Sequence, residues 1–368
     1  MKKVLIVFGT RPEAIKMCPL VLELKKRKKF DIKLCVTGQH REMIDTVLKV
    51  FNVVPDFDLD IMKDNQTLFD ITNRILDRFD IVLESYCPDL VVVHGDTTTS
   101  FASALSAFYK QIPVAHIEAG LRTRNLLEPF PEEFNRQAIS IIARYHFAPT
   151  EQAKNNLLVE GKNPNYIFVT GNTVIDALKS TVSKEFFHEE LKWANDSRLI
   201  LMTVHRRENI GKPMEDIFRA MKTVVEMHAD VKIIYTIHMN PSIRYMAENV
   251  LGNHERIHLI EPLDVVDFHN FISQCYIIVT DSGGIQEEAS FFGKPVLVLR
   301  NTTERPEGIE AGTLRLVGTS YEKVLMNVEQ LLSDYDLYSA MSSAKSPYGD
   351  GCASKYICNI LEGELCDE

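Results

Sequence analysis

Long apolar runs are missing from this chain. No stretch approaches the ~20 residues that a membrane-spanning helix needs, so no helical span is expected. Cationic charge is also scarce: 41 Lys and Arg face 51 Asp and Glu. The resulting formal charge of -10 argues against nucleic acid or an anionic membrane surface as the main partner. Any phosphate-bearing ligand must then find local cations. The seven cysteines, at 18, 35, 87, 275, 352, 358 and 366, form no CxxC pair, and their odd number leaves one unmatched in any disulfide scheme. They read as reduced thiols in the cytoplasm. No GxGxxG is present, so a nicotinamide dinucleotide has no obvious cradle. His116-Ile117-Glu118 is followed by no PCxxC, so neither a metal nor a redox cofactor is expected. Low-complexity segments and repeats of 20–50 residues are absent as well. The start, Met1-Lys2-Lys3 and an apolar run, mimics an export signal, but the run stops at Gly9 and the charged Arg11 and Glu13 follow. A first strand is the better reading.

What is present is alternation. Short β-branched runs at 4–8, 32–36, 90–93, 114–117, 145–147 and 166–170 alternate with helical patterns, the signature of parallel sheets built from βαβ units. The second half repeats the logic at 199–204, 232–237, 257–260, 276–280 and 296–299. A length of 368 residues is long for one core, so two α/β domains with parallel sheets facing a cleft are expected. The charged stretch at 183–197 marks the junction, and the domains are drawn at 1–171 and 172–351, with a C-terminal helix at 352–368 crossing back to the first. Parallel sheets place ligands at the carboxyl ends of their strands.

The motifs follow those strand ends. In 8–16, Thr10 can cap a helix, Pro12 sits in its first turn, and Arg11 and Lys16 are left either near an anion-seeking helix N-terminus or as solvated cations. Ser282-Gly283-Gly284 follows a strand and lets backbone amides approach a diphosphate, with Glu288 one helical turn on as a partner for ribose hydroxyls. An ordinary tight turn with a surface glutamate is the alternative. Arg305 is a candidate partner for phosphate or carboxylate. Asp96 and Glu118 directly follow strands, where a carboxyl at a cleft edge can act as a base. The alternatives are that Asp96 caps the helix that begins near Thr98, and that Glu132 and Glu133 complement a helix dipole. His205 ends a strand of the second half and can face a phosphate; His94 and His116, among apolar neighbours, read as core histidines.

Together these motifs make the chain resemble, across essentially its whole length, the non-hydrolysing UDP-N-acetylglucosamine 2-epimerases of bacteria and archaea. The carriers are FGTRPEAIKM (8–17), TGQHREM (37–43), HGDTTT (94–99), HIEAGLRT (116–123), PFPEEFNRQ (129–137), VTGNTVIDAL (169–178), HRREN (205–209), HLIEPL (258–263), DSGGIQEEA (281–289), GKPVLVLR (293–300) and TTERPE (302–307). The resemblance implies a GT-B-like fold of two Rossmann-like domains, a homodimer, no metal and no nicotinamide. It implies catalytic or substrate-contacting roles for Arg11, Lys16, Asp96, Glu118, Glu132 and His205, and a nucleotide site at Phe268, Ser282, Gly283, Gly284, Glu288 and Arg305. It also implies, for some members, an activating second UDP-N-acetylglucosamine at Gln39, Gln66, Glu132, Arg206 and His238. Two positions of that site depart from the family, Glu42 standing for Gln and Asn65 for Arg. Further departures are Arg124 and Glu128, and Ser290-Phe291-Phe292 where Pro-Ser-Leu is common.

The implied substrate has no carbonyl beside C2, so its C2–H is too weakly acidic for direct removal. Transient oxidation at C3 needs a nicotinamide. Loss of UDP, which makes C1 oxocarbenium-like and acidifies C2–H, needs only acids, bases and a diphosphate site, and fits the residues better. The product, UDP-N-acetylmannosamine, feeds cell-surface polysaccharide synthesis. A hydrolysing epimerase, a UDP-sugar glycosyltransferase and a non-catalytic nucleotide-sugar sensor remain as alternatives.

Overall fold

The computed structural model describes residues 1–39, 41–63, 65–303 and 305–366; the side chains of Glu42 and Arg207 lie outside that description. The chain divides into two compact units, one formed by Met1–Ser180 with Tyr348–Glu368 and one by Thr181–Pro347.

The first unit carries seven strands: β1 (Lys3–Phe8), β2 (Asp31–Val36), β3 (Phe57–Asp58), β4 (Leu90–His94), β5 (Val114–Ile117), β6 (Tyr145–Ala148) and β7 (Ile167–Val169). They pair in the order β3-β2-β1-β4-β5-β6-β7, and among the described residues every pairing is parallel. The second unit has six: β8 (Arg198–Thr203), β9 (Val231–Thr236), β10 (Ile257–Ile260), β11 (Ile277–Thr280), β12 (Val296–Val298) and β13 (Leu314–Leu316), ordered β10-β9-β8-β11-β12-β13. Continuous apolar runs form these strands because helices cover both faces of each sheet. In β8, Ile200 and Met202 pack with Phe218 on one face while Leu199 and Leu201 pack with Phe271 on the other, as a period of two requires. Val4 through Phe8 of β1 are fully buried.

In each unit the strand order reverses beside the first strand, between β1 and β4 and between β8 and β11. The turns after these paired strands open a crevice at the carboxyl edge, the usual ligand position in such sheets. The edge strands β3 and β13, two and three residues long, carry too little pattern to be read from sequence.

The division after Ser180 lies nine positions beyond the sequence boundary at 171/172. The helix Thr173–Thr181 stays with the first unit because Asp176 accepts the amides of Ala353 and Ser354 (3.1 and 2.9 Å), and Tyr348 O accepts the Asn172 amide (2.8 Å). The C-terminal helix Ala353–Cys366 packs on the helix Arg11–Arg27, where Arg27 donates to Asn359 (2.6 Å) and Glu362 (3.2 Å). Among the described residues no helix is long and apolar enough to cross a membrane.

Candidate functional site

Each unit gathers its polar side chains at its own strand-order reversal. In the first, the turn from β1 into the helix Arg11–Arg27 and the turn from β4 into the helix Thr98–Tyr109 are joined by Glu13. Its Oε2 accepts the amides of Gly9 (3.0 Å) and Thr10 (2.8 Å) and the Thr10 hydroxyl (2.8 Å), while Oε1 accepts the hydroxyls of Thr97 (2.6 Å) and Ser100 (2.8 Å). Burial raises the Glu13 pKa, and the surrounding hydroxyl and amide donors pull against that rise. Thr97 caps the second helix through the Ser100 amide (3.0 Å), so Asp96 is not the cap and its carboxylate is available for another task.

Asp96 accepts from Arg136 Nη2 (2.5 Å) and Nε (3.2 Å) on one oxygen, and Asn135 Nδ2 donates to its backbone carbonyl (2.9 Å). Both partners lie on the helix Glu132–Ile142. That helix opens with two glutamates that part ways. Glu133 is fully buried and accepts from Thr123 N (3.0 Å), Arg124 N (3.1 Å), Arg136 Nη1 (3.0 Å) and Gln137 Nε2 (2.7 Å). Burial alone would raise its pKa; these donors outweigh it and hold the carboxyl below its ordinary value. Glu132 has the opposite balance, its pKa raised by burial and then by the nearby Asp96 charge. The two neighbouring glutamates therefore shift in opposite directions.

Glu118 follows β5 in the left-handed region (φ 61°), a conformation that costs a non-glycine residue about 1 kcal/mol or more. Its Oε2 accepts from Lys16 Nζ and from Asn172 Nδ2 (2.8 Å), and His94 Nε2 lies 3.7 Å away. Its Oε1 faces Gly95, where an added Cβ would approach it to 3.7 Å. Lys16 is thus an ion-pair partner rather than a solvated cation. Arg11 opens its helix half-buried.

His116 Nε2 lies 2.7 Å from Gly95 O, and His116 pairs in register with His146 across β5 and β6. Burial pushes the imidazoles of His94, His116 and His146 down to about 4, 3 and 4, so they are neutral in the folded unit. An unfolded chain takes these protons below its ordinary value of about 6.5. Stability is consequently lost as pH falls from about 6.5 toward 3–4, by about 1.4 kcal/mol per pH unit for each histidine. Glu13 and Glu132, with raised pKa values, oppose this at lower pH. Urea midpoints should fall between pH 7 and pH 5; a flat profile contradicts the neutral histidine row.

In the second unit, Asp281 closes β11 and is completely buried. It accepts the amides of His205 (3.0 Å) and Arg206 (2.9 Å) and Asn209 Nδ2 (2.9 Å), with His205 Nδ1 at 3.1 Å. Burial would raise its pKa, but His205 and these donors bring it below the usual carboxylate value. Arg206 Nε donates to Asp281 O (2.9 Å), and His205 stacks on His238 with centroids 5.7 Å apart. Burial, then the neighbouring His205, lowers the His238 pKa. Ser282 precedes the helix Gly283–Phe291, and a Cβ at Gly284 would meet nothing within 4 Å. The Ser282 amide donates to the Thr280 hydroxyl (2.9 Å), and the backbone of Gly284 has room beside it.

Glu288 lies 3.8 Å from His269 Nε2, and Phe268 packs against the core. Arg305 Nε donates to the buried Glu287 (2.7 Å), so its carboxylate partner is internal. Of the positions connected with activation, Gln39 accepts from Thr99 (2.9 Å), Gln66 lies 3.4 Å from Arg74 Nη1, and Arg206 and His238 flank His205. Asn65 is exposed at φ 54°, while the Glu42 side chain lies outside the described residues. Glu13, Arg136, Asn172 and Asp281 carried no role in the sequence reading. Only Glu13 had a legible signal, the Thr-x-x-Glu spacing of a capping box.

The family model for UDP-N-acetylglucosamine 2-epimerase matches residues 22–362. A UDP-N-acetylglucosamine 2-epimerase of Bacillus subtilis strain 168 is 57% identical over 359 residues, spanning 98% of this chain and 94% of that protein. The S. aureus MnaA-UDP co-structure superposes with a TM-score of 0.92 at 52% identity, covering 100% of this chain and 97% of that one. The UDP-GlcNAc 2-epimerase of Neisseria meningitidis bound to UDP-GlcNAc gives a TM-score of 0.90 at 47% identity, with 98% and 99% covered.

Proposed function

The chain belongs to the UDP-N-acetylglucosamine 2-epimerase family, and we propose from that premise that it interconverts UDP-N-acetylglucosamine and UDP-N-acetylmannosamine without releasing free sugar. It does so as a cytoplasmic homodimer supplying cell-surface polysaccharide precursors, with neither a metal nor a nicotinamide. The observation that carries the reading is the contrast among three acids of the first unit. Asp96 is paired with Arg136 and Glu118 with Lys16, whereas Glu132 has its proton affinity raised by burial.

A base removes the C2 proton as the C1–O bond breaks, and UDP leaves with the bonding electrons to give 2-acetamidoglucal. UDP then re-adds at C1 while an acid returns a proton to the opposite face of C2. Asp96, Glu118 and Glu132 share the base and acid work, and the roles reverse in the return reaction. Arg11, Lys16, His205 and the Ser282-Gly283-Gly284 turn oppose the departing diphosphate charge. Asp281 holds His205 through Nδ1, leaving Nε2 for the phosphate. Phe268, Glu288 and Arg305 serve the nucleoside end. Glu42 and Asn65, in place of Gln and Arg, weaken any activating site for a second substrate molecule.

The test is incubation with UDP-N-acetylglucosamine alone, after exhaustive removal of nicotinamides and divalent cations, with every product identified by NMR. A mixture of the two epimeric UDP-sugars is expected. Free N-acetylmannosamine with UDP would make the protein a hydrolysing epimerase, and unchanged ligand would leave a transferase or sensor.

A further inference from the structure

We propose, building on the reading of Glu118 as a proton-transfer group, that Asn172 is its positioning residue, fixing Oε2 so that the other oxygen is directed to the substrate. Asn172 belongs to the 169–178 motif, for which the reaction above finds no use. It is 2% exposed, and its Nδ2 donates to Glu118 Oε2 at 2.8 Å. The orientation of the amide is set independently: Oδ1 accepts the Val174 amide at 3.1 Å, a bond only the oxygen can take, so the NH2 group faces the carboxylate.

The backbone is fixed as firmly. The Asn172 amide donates to Tyr348 O at 2.8 Å, and Gly171 beside it sits at φ 83°, where an added Cβ would come within 3.2 Å of Gly349 Cα. The segment that leads into the C-terminal helix therefore sets where the amide points. Lys16 shares the same oxygen, but a lysine ammonium on a flexible stem supplies charge more than direction. A planar amide held at both ends supplies the direction, and a misplacement near 1 Å in such a site costs roughly 10²-fold in rate.

Asn172 also turns the chain into the helix Thr173–Thr181 through the Val174 bond, so a purely structural role has to be told apart. Asn172→Asp does this. Aspartate caps a helix as well as asparagine does, so the structural role predicts an unchanged protein. The positioning role predicts that a carboxylate now faces a carboxylate and the donor is gone.

The experiment compares Asn172→Asp, Asn172→Ala and Glu118→Gln in the full chain for thermal unfolding, UDP affinity, kcat, KM and the pH profile of kcat. Asn172→Asp is expected to bind UDP like the parent, to unfold at a lower temperature at neutral pH because two carboxylates meet in a buried site, to lose roughly 10²-fold in kcat with little change in KM, and to regain rate as pH falls, because the introduced carboxyl donates once protonated. Asn172→Ala is expected to lose rate with no recovery at low pH. A parental kcat and pH profile in Asn172→Asp, with Glu118→Gln inactive, overturns the positioning role and leaves the reading of Glu118 standing. A loss of UDP affinity in Asn172→Asp as large as its loss of kcat makes the role structural and overturns it too. Full turnover in Glu118→Gln removes the reading of Glu118 and the proposal with it.

Discussion

Asp96→Asn and Glu118→Gln should each lower turnover by roughly 10²–10⁴-fold, the range expected when a group transferring a proton in the transition state is lost. UDP affinity should change far less, because the nucleotide contacts other than Arg11 and Lys16 are assigned to the second unit. The two variants are not equally clean. Arg136 keeps Glu133 as a partner at 3.0 Å after Asp96 is neutralised, so little buried charge is stranded. Lys16, whose side chain is 13% exposed, loses the Glu118 carboxylate in Glu118→Gln, so part of any loss in that variant is a cost in stability. Unfolding temperature and UDP calorimetry on each variant separate that cost from catalysis. Near-parental turnover in Asp96→Asn would take that carboxylate out of the chemistry, whatever Glu118→Gln does.

The parts of this arrangement that were legible in the sequence are those that repeat a pattern. Continuous apolar runs announce β1, β4, β8 and β11, and the strand-end positions of Asp96, Glu118, His205 and Ser282–Gly284 follow from the fact that parallel strands end at the ligand edge. What stayed hidden is partner choice. Asp96 and Thr97 are both good caps, and nothing in HGDTTT says that Thr97 takes the Ser100 amide while Asp96 turns to Arg136. Glu132 and Glu133 stand side by side at a helix start, yet a helix advances 100° per residue, and that rotation sends one into a nest of four donors and leaves the other with a raised proton affinity. Arg136 and Asn172 are 40 and 54 positions from the carboxylates they hold, a separation no local pattern bridges. Asp281 was visible as a letter before the glycines, but its service to His205 and Arg206 depends on β8 and β11 being neighbours.

Epimerisation in heavy water should place deuterium at C2 of essentially every molecule of product formed. A carboxyl group exchanges its proton with solvent far faster than turnover at ordinary kcat values of 1–10³ per second. Whichever acid returns the proton to C2 therefore returns a solvent deuteron, provided that the base that took the proton and the acid that gives it back are different groups or exchange in between. The three carboxyl groups of Asp96, Glu118 and Glu132 supply more than one such group. A transient oxidation at C3 would make C2–H acidic by another route and would also exchange it, so the label alone does not choose between the two. The second half of the result does: elimination breaks the C1–O bond, and prolonged incubation should release UDP and 2-acetamidoglucal, whereas oxidation at C3 leaves that bond intact. Positional exchange of ¹⁸O between the sugar-to-phosphate bridge and the non-bridging oxygens of the diphosphate reports the same cleavage on the turnover timescale, since the freed phosphate can rotate before UDP re-adds. Protium kept at C2, or a bridge oxygen that never scrambles through many turnovers, would each exclude loss and re-addition of UDP with solvent-exchanging acids, and would reassign Asp96, Glu118 and Glu132 to binding.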